Sequence, residues 1–191
     1  MDPVISSVLR FALGWILAES ALDKLRHRRD FMRTLAAYQL VPGSALAPTT
    51  SSLVVLEATL ALSLGLAALA PWMETACGVL AAPAGLASAG LLAVYGAAIT
   101  INLWRGRREL DCGCGGPARH QKLGIGLVVR NAVLVSAALA AAMAPAPRSL
   151  GGLDLATAVL AVTATLLLRA ACEVLLANGP ASARLVAEMQ A

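Results

Sequence analysis

Two thiols one residue apart raise the first chemical question. In Glu109-Leu110-Asp111-Cys112-Gly113-Cys114-Gly115-Gly116-Pro117, a single glycine separates Cys112 from Cys114, and two more follow. Such a pair can close a small, strained disulfide, because glycines supply the backbone conformations that other residues resist. Strain raises the reduction potential, so a bond of this kind exchanges readily instead of serving as a staple. Arg107, Arg108, Arg119 and His120 surround the pair with positive or protonatable groups that favour the thiolate. His120 is the general-base candidate. The same sulfurs could instead capture a soft metal (Cu, Zn or Hg), with His120 or Cys172 completing the site, or be incidental thiols in a Gly-rich turn. The Cys-x-Cys spacing points to thiol chemistry but does not separate redox exchange from metal binding.

A second group is made of charges in apolar surroundings: Glu57, Arg130 and Arg169. Counted from the ends nearest the cysteine loop, each lies roughly 10–12 Å deep at about 1.5 Å per helical residue. A charge left unpaired in hydrocarbon costs at least about 2.5–3.5 kcal/mol. The three are therefore expected to face one another or a wet cavity. They would form either a structural ion pair or a proton or quinone-headgroup site. Arg10 and Glu19 fall on nearly opposite faces of one segment and cannot pair with each other. Arg169 and Glu173 are one turn apart and can pair locally. Cys77 and Cys172 read as buried small hydrophobes at opposite ends of the bundle, with Cys172 alternatively a resolving thiol for the loop. His27, in a basic run, reads as a solvated or headgroup-facing residue.

The elements that position these residues must be membrane helices. The chain has 191 residues, 59% hydrophobic and 14% charged, and a mean hydropathy of +0.75. A soluble domain carries about 25% charged residues, so this chain lacks the polar surface to face water on all sides. The formal charge of +4 comes from basic residues beside apolar segments, a topology signal and not a nucleic-acid footprint. Spanning hydrocarbon takes about 20 apolar residues. The candidates are residues 4–22, 49–69, 76–103, 123–143 and 153–176, the first and last being the weakest, and Pro83 is expected to kink the third. The fold class is therefore an all-α membrane bundle of four to five transmembrane helices in one domain, 1–191, with the Cys-Gly-Cys loop at 104–122. The start, Met1-Asp2-Pro3, lacks the basic region of a cleavable signal peptide, so the first apolar run is expected to remain as a helix. Phe31 to Tyr38 is amphipathic enough for a short interfacial helix.

Orientation follows from Lys and Arg in the short loops. Residues 23–48 hold Lys24, Arg26, Arg28, Arg29 and Arg33, and 103–122 hold Arg105, Arg107, Arg108, Arg119 and Lys122. The opposite loops offer only Arg148. This places the cysteine loop at the cytoplasmic face of a bacterial inner membrane and the N-terminus outside.

An acid in an early helix and a Leu-Asp-Cys-Gly-Cys-Gly-Gly loop after a long apolar helix resemble the methylamine utilisation protein MauE family, allied to the DoxX-like membrane proteins. The resemblance covers roughly residues 5–145, with Asp111-Cys112-Gly113-Cys114-Gly115 its most specific part. It implies a thiol–disulfide oxidoreductase that exchanges disulfides or electrons with a membrane-anchored thioredoxin-like protein of the MauD type. It also implies a role in maturing exported disulfide-rich proteins such as methylamine dehydrogenase. Only the cysteine pair is carried over from the family. A soft-metal handling protein and a non-catalytic docking subunit are the alternatives.

Overall fold

A computed structural model describes residues 1–73, 76–113 and 121–189, with side chains for all of these except 76–77, 173 and 176–189. The elements in order are α1 (Pro3–Arg26), α2 (Arg28–Tyr38), a 3-10 turn (Gly43–Ala45), α3 (Leu46–Met73), a 3-10 segment (Ala76–Leu80), α4 (Ala81–Trp104), α5 (Ile125–Ala142) and α6 (Gly152–Met189). Five of these helices are long and apolar enough to cross a membrane. The protein is an all-α membrane protein.

The element boundaries follow from local chemistry. Asp2 caps α1 by accepting from the Val4 amide at 2.8 Å, with Pro3 at the first helical position. The expected interfacial helix is α2. It stops where Gln39 turns into the left-handed region at φ 52°. Pro48 does not delay α3 to residue 49, because a proline in the first turn forfeits an amide that has no intrahelical acceptor; α3 starts at Leu46. Pro83 causes no mid-helix kink for the same reason. The span expected over 76–103 changes from 3-10 to α geometry at Ala81, which leaves Pro83 in the first turn of α4. The last helix runs past residue 176 to Met189, through Asn178-Gly179-Pro180.

Helix α1 is the organising element. It packs chiefly on α3 and also touches α5, α6 and α2, while α4 packs on α5 and α3. The core joins Leu13 and Leu17 of α1 to Leu60 and Leu64 of α3, Leu91 and Leu92 of α4 and Ala138 and Ala141 of α5. Helix α6 lies at the edge, with Leu160, Leu167 and Leu168 exposed, as suits a helix facing lipid. Arg10 is buried in the core, yet its guanidinium is satisfied. It donates to the carbonyls of Ala141 at 3.0 Å and Met143 at 2.9 Å, where α5 ends and its last carbonyls lack partners.

Helices α4 and α5 meet almost backbone to backbone. A Cβ on Gly85 would lie 2.8 Å from the Cα, Cβ and N of Ala142, whereas one on Gly90 would meet nothing within 4 Å. Gly85→Ala should therefore force the pair apart and destabilise the protein by about 1–3 kcal/mol. Gly90→Ala should be neutral or stabilising by up to about 1 kcal/mol. Thermal unfolding of the two variants in detergent tests the contrast.

Candidate functional site

The segment after α4 folds back on itself. The Cys112 amide donates to the Gln121 carbonyl at 2.9 Å and the Leu123 amide to the Leu110 carbonyl at 3.0 Å. Asp111 and Lys122 thus form an antiparallel bridge, reinforced by a Lys122 Nζ–Asp111 Oδ1 ion pair at 3.2 Å and a Lys122 bond to the Glu109 carbonyl at 2.7 Å. The loop between Cys112 and Gln121 is therefore held at its neck. Helix α2 braces the same neck. Tyr38 donates its hydroxyl to the Cys112 carbonyl at 3.0 Å, and Arg107 donates to Gln39 Oε1. Burial, and then the Asp111 carboxylate, holds the Tyr38 phenol above its ordinary pKa, so it remains a donor at neutral pH. Gly113 has φ +64°, and a Cβ there would come within 2.9 Å of Thr34 Cγ2. Conformation and space both require glycine.

Cys112 is disulfide-bonded. It is only 8% exposed, packed with Tyr38, Ile99, Leu123 and Leu127. Cys114 and His120, the other two residues of the expected catalytic set, lie outside the described residues, as does Arg119. Cys172 is a free, exposed thiol on α6, which corrects its reading as a buried hydrophobe. The Cys77 side chain lies outside the described residues. Among the described residues no three His, Cys, Asp or Glu side chains converge on a point that could hold a metal ion.

Beneath Cys112 lies a buried polar cluster that sequence only half revealed. Glu57 of α3 is fully buried. Its partner is Lys24 of α1, whose Nζ donates to Oε1 at 2.8 Å and Oε2 at 3.0 Å, and to Ser20 Oγ at 2.6 Å. Ser20 and Tyr95 also donate to Glu57 Oε1, at 3.1 Å and 2.7 Å. The ammonium sits 5.1 Å from the Phe31 ring centre and 5.4 Å from that of Tyr95, so α2 and α4 add cation–π attraction. Four helices are tied together by one ion pair.

The expected grouping of Glu57 with Arg130 and Arg169 does not form. Glu57 is held instead by Lys24 and Ser20 of α1 and Tyr95 of α4. Arg169 pairs with Glu19 at 2.5 Å, joining α6 to α1, and Arg130 is half-buried on α5. Sequence reading placed Lys24 among the loop cations, although it continues the buried stripe Arg10, Leu13, Leu17, Ser20 at helical spacing. That periodicity was the available signal. A cavity of about 70 Å³ connects the cluster to the loop, lined by Lys24, Phe31, Tyr38, Tyr95, Ile99 and Cys112 among others.

The ends of the bundle are chemically distinct. Helix α2 and the cysteine loop share one end. At the other, the Ala146 amide donates to the Met1 carbonyl at 2.7 Å, and Arg148 pairs with Asp2 at 3.1 Å and Asp154 at 2.6 Å.

Breaking a buried pair leaves an uncompensated charge, which costs about 3–5 kcal/mol. Lys24→Met should destabilise by that order in a detergent melt. Adding Glu57→Leu to Lys24→Met should restore much of the loss, since the orphan carboxylate is then removed.

Comparison with known proteins shows the family. The sequence model of the methylamine utilisation protein MauE family matches residues 2–144. The chain is 38% identical over 168 residues to a methylamine utilization protein MauE of Paracoccus versutus, covering 87% of this chain and 84% of the relative. It is 36% identical over 168 residues to the Methylorubrum extorquens protein of the same description, with the same coverage. With that of Paracoccus denitrificans it shares 35% over 142 residues, 74% of this chain and 70% of the relative. No solved structure matches.

Proposed function

Because the chain belongs to the methylamine utilisation protein MauE family, we propose that it is a membrane thiol–disulfide exchange protein in which Cys112 pairs with Cys114. The observation that carries this reading is the oxidised state of Cys112 at a braced loop neck. A loop fixed at its neck by the Asp111–Lys122 bridge can change the bonding of its sulfurs without disturbing the helices below. The partner is a membrane-anchored thioredoxin-like protein, the clients are exported disulfide-rich proteins, and the loop faces the cytoplasm of a bacterial inner membrane. Arg105, Arg107, Arg108 and Lys122 of the loop, together with the basic start of α2, support that orientation by the positive-inside rule.

Exchange proceeds through a mixed disulfide. A partner thiolate attacks one sulfur, the S–S bond breaks, and the other sulfur leaves as a thiolate. A second partner thiolate then attacks the mixed disulfide, releasing an oxidised partner and the Cys112–Cys114 dithiol. Cys112 is packed under Tyr38 and 8% exposed, so Cys114 is the sulfur the partner attacks. His120 takes up or returns the proton of the leaving thiol. The same steps run backwards when the partner is the oxidant.

The roles are separable by mutation. Cys112→Ser should leave Cys114 able to hold a partner thiol, so a stable mixed disulfide accumulates on a non-reducing gel. Cys114→Ser should trap none, and the double serine variant should exchange nothing. Exchange at the wild-type rate by the double variant would rule the reading out.

A further inference from the structure

Cys112 presents a mismatch between chemistry and access. It is disulfide-bonded, yet only 8% exposed to solvent. It does, however, line the cavity of about 70 Å³ that runs down to Lys24. A molecule that meets it through that cavity must be small. The walls define that molecule closely. Phe31, Tyr38 and Tyr95 offer aromatic surface, Ile99 offers aliphatic surface, and Lys24, 2% exposed, contributes a positive charge. Lys24 lines the cavity and its partner Glu57 does not, and the ammonium lies 5.1 Å and 5.4 Å from the ring centres of Phe31 and Tyr95, two of the other walls.

We propose that this cavity is a quinone-headgroup site, through which the Cys112 disulfide exchanges electrons with the lipid pool. This rests on the exchange reading and extends it by naming the small-molecule redox partner. A quinone ring is flat and apolar, as the aromatic walls require, and its carbonyl oxygens are drawn to a buried cation. An apolar cavity of about 150 Å³ takes a whole benzene ring. One of about 70 Å³ therefore takes the leading, carbonyl-bearing edge while the rest of the ring stays outside it. The balance closes with the quinone as oxidant. The dithiol of Cys112 and its partner sulfur loses two electrons and two protons, two S–H bonds break and one S–S bond forms. The quinone gains the same two electrons and two protons, its two carbonyls becoming the two hydroxyls of a quinol. Lys24 acts by charge alone, because its three N–H groups are already directed at Glu57 and Ser20.

The test uses the full-length protein, reduced and placed in lipid nanodiscs without oxygen, with ubiquinone-1 as the probe. One equivalent of quinol should form as the protein loses the mass of two protons. Ala98→Phe, which fills the cavity from α4, should raise the ubiquinone-1 KM about tenfold or more, a loss of about 1.4 kcal/mol in binding. Its exchange with a soluble aromatic disulfide should remain as in wild type. A photoreactive azidoquinone supplies a second measurement on the unmutated protein. Labelling of peptides carrying Phe31 or Tyr95 supports the site, and labelling elsewhere overturns it. Intact disulfide exchange without quinol formation would overturn the quinone site alone. Failure of both reactions would overturn the exchange reading on which it rests.

Discussion

A lysine and a glutamate meeting inside an apolar bundle constrain everything around them. Neither charge is tolerable alone at that depth, so α1 and α3 must pack in the register that brings Lys24 within 2.8 Å of Glu57. The carboxylate then needs further donors, and Ser20 and Tyr95 provide them, fixing the rotation of α4 as well. The ammonium draws Phe31 over itself, which seats α2 on the bundle. Apolar contacts such as Leu17 with Leu60 and Leu64 stabilise this arrangement without specifying it.

The cysteine loop inherits that order. Because α2 is seated, Tyr38 can hold the Cys112 carbonyl and Thr34 can close over Gly113. The loop neck is thus referenced to the bundle interior instead of floating in the headgroup region. In the proposed exchange, a disulfide that opens and closes at one place gains from such a mount, since its sulfurs return to the same geometry. The consequence is that one sulfur, Cys112, faces inward toward the cavity above Lys24.

Much of this was legible in the sequence, but unevenly. The spans were visible because apolar runs of membrane length are rare by accident, and α2 was visible from its amphipathic pattern. Prolines misled: Pro48 reads as the end of a loop and Pro83 as a kink, yet each falls in a first turn where its missing amide costs nothing. The polar cluster was the larger miss. Counting depth along each helix made Glu57, Arg130 and Arg169 level with one another, but contact depends on which helices adjoin. Helix α3 faces α1 and α4, and that is a property of packing that hydropathy does not carry. Lys24 was hidden for a related reason. Hydropathy stops at Leu22, whereas the helix and its buried stripe continue to the next turn.

The bond at Cys112 itself is the point on which the functional account turns. Protein isolated from membranes with free thiols blocked, digested without reductant and mapped by mass spectrometry, should yield Cys112 and Cys114 joined within one peptide. That peptide should gain the mass of two protons on reduction. Finding Cys112 bonded to Cys77 or Cys172, or blocked as a free thiol that no oxidant converts, would contradict the account.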